Sequence, residues 1–164
     1  MAQKNYAGTR YSELKEITPD NVATLKVAFT FGLGIKPHGE EAAPLVVNDT
    51  MYIVTAFPNI LYALDLTKPG APAKWAFKPN PPRAAQGVAC CDVVTRGAAY
   101  WNGKVIINTL DGQTIAVDVR TGKPVWRTQL ADISKGETVT MPRWSPRARC
   151  WSAIPAASSA CAAG

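Results

Sequence analysis

Two cysteines stand side by side at positions 90 and 91, inside the stretch Ala-Cys-Cys-Asp-Val-Val-Thr-Arg-Gly at 89–97. Adjacent cysteines are awkward as core residues. Their Cα atoms, about 3.8 Å apart, also sit closer than the roughly 4.4–6.8 Å of an ordinary disulfide. Metal ligation is the other common chemistry of thiols. The four cysteines, at 90, 91, 150 and 161, show no zinc-type C-x₂₋₄-C spacing, and His38 is the sole histidine. No nucleophile–histidine–acid arrangement and no glycine-rich phosphate loop is present. Around the cysteines lie Asp92 and Arg96, with the carboxylate pair Glu40-Glu41 upstream and Thr140 downstream. Taken singly, each has an ordinary explanation: buried thiols, a surface arginine, a turn, a strand-end hydroxyl.

The elements that must carry these residues are short strands. Residues 43–47, 51–54, 61–65 and 74–77 form one group of four, and 97–100, 105–108, 114–118 and 125–128 a second. Asn48-Asp49, Asn102-Gly103, Asp111-Gly112 and Thr121-Gly122 punctuate them. Such pairs adopt positive φ cheaply and mark tight turns. The groups repeat: Ala63, Asp65 and Trp75 correspond to Ala116, Asp118 and Trp126. Four strands recurring every 40–50 or so residues is the pattern of propeller blades. Each tryptophan is expected at the start of the outermost strand, packed on the next blade. Two blades cannot close a propeller, and stacked repeats usually need about three or more. The chain therefore reads as all-β, a piece of about two to three blades from something larger.

Composition narrows the partners. The chain has 164 residues and a net charge of +6, half of it from Arg143, Arg147 and Arg149 in a tail without acids. The body has no basic stripe interleaved with aromatics, which argues against nucleic acid. No apolar run approaches the roughly 20 residues that span a membrane, and the first residues have no apolar stretch like that of a secretory signal.

Together, the stretches at 5–29, 39–47, 89–97, 109–126 and 138–141 resemble the N-terminal part of the quinoprotein alcohol dehydrogenases. These are the methanol/ethanol dehydrogenase family that uses pyrroloquinoline quinone (PQQ), and the likeness leans toward the methanol branch with its lanthanide-dependent members. The specific element is Cys-Cys-Asp-Val-Val-x-Arg-Gly. The resemblance implies an eight-bladed β-propeller with tryptophan-docking repeats and the quinone at its axis, beside a Ca²⁺ or lanthanide ion. It implies a small primary alcohol as substrate, hydride transfer to the quinone and a c-type cytochrome as acceptor, in a periplasmic and oligomeric parent.

The resemblance also assigns roles. Cys90 and Cys91 would form a strained disulfide ring stacked on the quinone face, a bond suited to an oxidising compartment. Arg96 would bond the quinone oxygens, Glu41 would contact the cofactor, and Thr140 would bond a quinone carboxylate. Glu40 is expected to face solvent and Asp92 to support the loop. No catalytic aspartate or metal ligand is expected within these residues.

The likeness ends at Met141. Residues 142–164 lack strand periodicity and acids. Back-translated and shifted by one base, with suitable silent bases, they yield Ala-Pro-Leu-Val and a second strand, ending in a Gly-Gly-Glu segment where the family places a metal-ligand glutamate. Residues 1–141 are therefore expected to be the propeller part, and 142–164 a frameshifted, unstructured tail. Two further readings are a non-catalytic Trp-repeat scaffold of the outer-membrane assembly type and a truncated product without function. Cys90-Cys91 with Arg96 weighs against a scaffold, which needs no quinone platform.

Overall fold

The computed structural model describes residues 11–34, 39–89 and 92–140. Cys90, Cys91, His38 and the 142–164 tail lie outside them. Eight strands form two four-stranded antiparallel meanders. The first contains β1 (Leu45–Val47), β2 (Thr50–Val54), β3 (Leu61–Asp65) and β4 (Ala73–Phe77). The second contains β5 (Ala99–Trp101), β6 (Lys104–Asn108), β7 (Gln113–Asp118) and β8 (Pro124–Gln129).

Turn chemistry sets the hairpins. Asn48 and Asn102 take φ of 47° and 41°, followed by Asp49 at 56° and Gly103 at 71°. Positive φ at both central residues matches the right-handed twist of the flanking strands. The expected strands are all present with small shifts. The largest are at β1 and β5, which begin at Leu45 rather than 43 and at Ala99 rather than 97. Pro44 has no N–H for a ladder, and Ala43 instead forms a parallel bridge with Gly97.

One apolar core joins the two sheets. Leu45, Tyr52, Val54, Leu61, Ala63 and Phe77 from the first pack with Val105, Ile107, Ile115 and Val117 from the second. In the second sheet, the inner strands bury eight of their eleven residues, while all six residues of β8 are exposed. Each fully buried aliphatic side chain contributes about 1.5–3 kcal/mol.

Trp75 is the third residue of β4, not the first, and is partly buried against this core. Its Nε1 donates to the Val119 carbonyl at 3.0 Å. Gly122, at φ +66°, lies against the indole so closely that a Cβ there would stand 2.7 Å from its Cδ2.

Candidate functional site

In a meander, alternate connections share an end. The β1–β2 and β3–β4 turns lie at one end of the first sheet, and the β2–β3 loop lies at the other. The segments leading into β1 and β5 also belong to that second end. Glu41 and Arg96 are on these two segments.

The two segments are locked together by main chain. The Ala43 N–H donates to the Arg96 carbonyl at 3.4 Å, and the Arg96 N–H donates to the Thr140 carbonyl at 2.8 Å. Gly97, at φ +115°, makes the approach possible: a Cβ would lie 2.9 Å from the Ala43 carbonyl oxygen. Positive φ and this closeness both demand glycine.

The side chains follow. Arg96 Nε lies 3.1 Å from Glu41 Oε2, with the two side chains 56% and 49% exposed. Of the five residues singled out for the cofactor, Glu41, Arg96 and Thr140 are thus brought to one place. Thr140 enters this cluster through its main chain. Cys90 and Cys91, the remaining two, are among the residues not described.

Neighbouring side chains hold the loops. Asp92 Oδ1 accepts from the Val93 N–H at 2.7 Å, and Oδ2 accepts from the Gly39 N–H at 3.4 Å. Asp92 thereby ties the segment before β5 to that before β1, in line with its expected supporting role. Its φ of +90° is unusual for a residue with a side chain. Backbone held in such regions clusters at functional sites. Glu40 is exposed, as expected, but does more than face solvent. Its carboxylate accepts from the Ala42 and Ala56 N–H groups, each at 3.1 Å. This fastens the Glu-Glu segment to the β2–β3 loop. Phe57 N–H donates to the Val93 carbonyl and Leu110 N–H to Asn59 Oδ1, both at 2.9 Å, which fastens that loop to the second sheet.

Thr95 was not foreseen. It is 2% exposed, and its Oγ1 has no hydrogen-bond partner among the described residues. A buried hydroxyl left unpaired costs about 1–3 kcal/mol. Its only sequence signal is a polar residue amid the apolar run before Arg96. No three His, Cys, Asp or Glu side chains come together to hold a metal among the described residues.

Two four-stranded antiparallel sheets sharing one core have the form of neighbouring propeller blades. Residues 1–129 match the family model described as PQQ: glucose/ethanol/alcohol dehydrogenase, beta-propeller domain, and the chain belongs to that family. It is 52% identical over 140 residues to the lanthanide-dependent methanol dehydrogenase of Methylacidiphilum fumariolicum, covering 85% of this chain and 23% of that protein. It is 45% identical over 147 residues to methanol dehydrogenase [cytochrome c] subunit 1 of Methylobacterium organophilum, covering 86% of this chain and 23% of that protein. A solved europium-containing methanol dehydrogenase superposes with a TM-score of 0.87 at 49% identity, over 92% of this chain and 26% of that one. The chain thus spans about a quarter of the length of these relatives, and its two sheets are a fragment of a larger propeller.

Proposed function

We propose that the chain forms one wall of the quinone site of a PQQ-dependent alcohol dehydrogenase, acting on small primary alcohols such as methanol. The observation that carries this reading is the Arg96–Glu41 pair at 3.1 Å, half-exposed and fixed by the Gly97–Ala43 approach. PQQ is flat, anionic and rich in oxygens. A guanidinium presents donors in a planar fork that suits such oxygens.

When bound, the quinone supplies a two-electron acceptor for hydride from the alcohol. Arg96 would place a fixed positive charge beside the quinone oxygens, which would favour their reduced, negatively charged form. Glu41 braces Arg96 through its Nε and would contact the cofactor, and the Thr140 hydroxyl would donate to a cofactor carboxylate. Cys90 and Cys91 would form a disulfide ring serving as the platform for the cofactor face.

The Ca²⁺ or lanthanide ion and the catalytic aspartate belong to further blades of a longer, oligomeric, periplasmic parent. That parent passes electrons to a c-type cytochrome. The acid-free composition of residues 142–164 supports reading them as a shifted frame. The names of the methanol dehydrogenase relatives support the substrate and acceptor.

The test adds quinone and calcium or lanthanum to the purified chain and measures dye-linked alcohol oxidation beside quinone binding. Binding without turnover is expected, because one wall lacks metal ligands and base. Turnover by the chain alone would contradict the division of the site. Intact mass before and after reduction reads the Cys90–Cys91 bond. Coding DNA whose shifted frame fails to give Ala-Pro-Leu-Val after Met141 would refute the frameshift.

A further inference from the structure

Glu40 and Glu41 are neighbours in sequence, yet their carboxylates serve different partners. Glu41 Oε2 meets Arg96 Nε at 3.1 Å. Glu40 turns to main chain instead: Oε1 accepts from the Ala42 N–H and Oε2 from the Ala56 N–H, each at 3.1 Å. Ala56 is 0% exposed, and a buried N–H left without an acceptor is costly. An ionised carboxylate is also a stronger acceptor than a neutral group.

The loop that presents the Ala56 N–H is itself fixed. Thr55 N–H donates to the Ile60 carbonyl and Asn59 N–H to the Ala56 carbonyl, both at 2.9 Å. The Thr55 hydroxyl donates to the Ala56 carbonyl at 2.7 Å and accepts from the Ile60 N–H at 3.0 Å. Next to Ala56, Phe57 N–H donates to the Val93 carbonyl at 2.9 Å, three residues before Arg96. These contacts close a circuit. It runs from Glu40 through Ala56 and Phe57 to Val93, along the chain to Arg96, and across to Glu41 beside Glu40. Asp92 and Ala43 tie the same two segments together directly, but neither decides which of the two carboxylates faces Arg96. Glu40 decides it by being engaged elsewhere.

We propose that Glu40 is a positioning residue of the cofactor wall, which assigns Glu41 to Arg96 by occupying the Ala56 and Ala42 N–H groups. A guanidinium carries five N–H donors in one plane. With Glu41 held at Nε, the donors on the two terminal nitrogens can serve the oxygens of an anionic ligand such as the quinone. Without the Glu40 carboxylate, the Ala56 N–H lacks its acceptor, and Glu41, one residue away, is the nearest carboxylate in the chain to take its place. Arg96 would then lose its partner and its fixed orientation. The consequence for binding rests on the quinone reading; the choice of partner does not.

Two readouts on the full 164-residue chain test this. The first is solvent exchange of the Arg96 side-chain N–H at Nε, followed by NMR without cofactor. The second is PQQ affinity by titration. Glu40→Ala should speed that exchange about tenfold or more and weaken PQQ binding about tenfold, the scale of one hydrogen bond to a charged group. Glu40→Gln keeps a carbonyl acceptor for the Ala56 N–H, and should bring both back to within about threefold of wild type. Circular dichroism establishes that each variant keeps the β fold. Exchange at Arg96 unmoved by Glu40→Ala would overturn the proposal, even where urea unfolding shows lower stability, because Glu40 would then only brace the loop. Glu40→Gln behaving like Glu40→Ala would overturn it too. Exchange that responds as expected in a chain that binds no PQQ would uphold the positioning role and overturn the quinone reading alone.

Discussion

The main chain of Gly97 lies against that of Ala43 at a distance no side chain could tolerate. A Cβ on Gly97 would stand 2.9 Å from the Ala43 carbonyl oxygen, at a φ of +115°. This contact sets Arg96 beside Glu41. Gly97→Ala should therefore lower stability by about 1–3 kcal/mol, the usual cost of strained backbone, as read from urea midpoints. It should also weaken quinone binding, because the arginine and carboxylate no longer share one origin. Wild-type stability in this variant would mean that the two segments are not pressed together.

The core makes a separate claim. Ile107 is 0% exposed within the cluster that joins the sheets. Ile107→Ala should cost about 2–5 kcal/mol through lost burial and the cavity left behind. Thermal and urea unfolding should agree in a single transition if both sheets share this core. Two separate transitions would show that the sheets unfold independently.

At the junction of the sheets, Trp75→Phe keeps a ring in contact with Gly122 and removes the bond to the Val119 carbonyl. A hydrogen bond of this kind contributes about 0.5–1.5 kcal/mol, and urea unfolding should show a loss of that size. Gly122→Ala should do more damage, since its Cβ would meet the indole at 2.7 Å. Equal effects from the two substitutions would contradict the close approach.

Acid stability follows from the turns. The Asp118 carboxyl lies below the usual carboxylate range, chiefly through the Thr121 main-chain N–H, then its hydroxyl. Asp132 is lowered likewise, chiefly by the Ser134 hydroxyl. A lowered folded value stabilises the protein above the unfolded value of about 3.9, and that contribution fades as pH falls through the folded value. Asp118→Asn should therefore flatten the decline of stability below about pH 4 and leave the slope near neutrality unchanged. An identical acid limb in wild type and variant would contradict the assignment.

Much of the fold was legible because its determinants are local. Asn48-Asp49 and Asn102-Gly103 advertise positive φ, and the Ala-x-Asp…Trp repeat marks equivalent strands. The shortened β1 was less visible, since Ala43 pairs with Gly97, far along the chain. The same limit applied to the site. Arg96, Glu41 and Thr140 were each marked by motif, but their convergence rests on main-chain contacts between distant segments. Glu40 seemed a plain surface carboxylate because its acceptor role depends on Ala56, in a loop that only folding brings near. Thr95 has no local signature beyond being polar.

The most direct measurement is a PQQ titration of the purified chain and of Arg96→Leu, following tryptophan quenching or heat. The account predicts saturable binding that the substitution weakens about tenfold or more, as expected for a charge-assisted hydrogen bond worth about 1.5–3 kcal/mol, with Asp118→Asn leaving it unchanged. Equal affinity in wild type and Arg96→Leu, or no saturable binding by the wild-type chain, would contradict the claim that these residues form a wall of the quinone site.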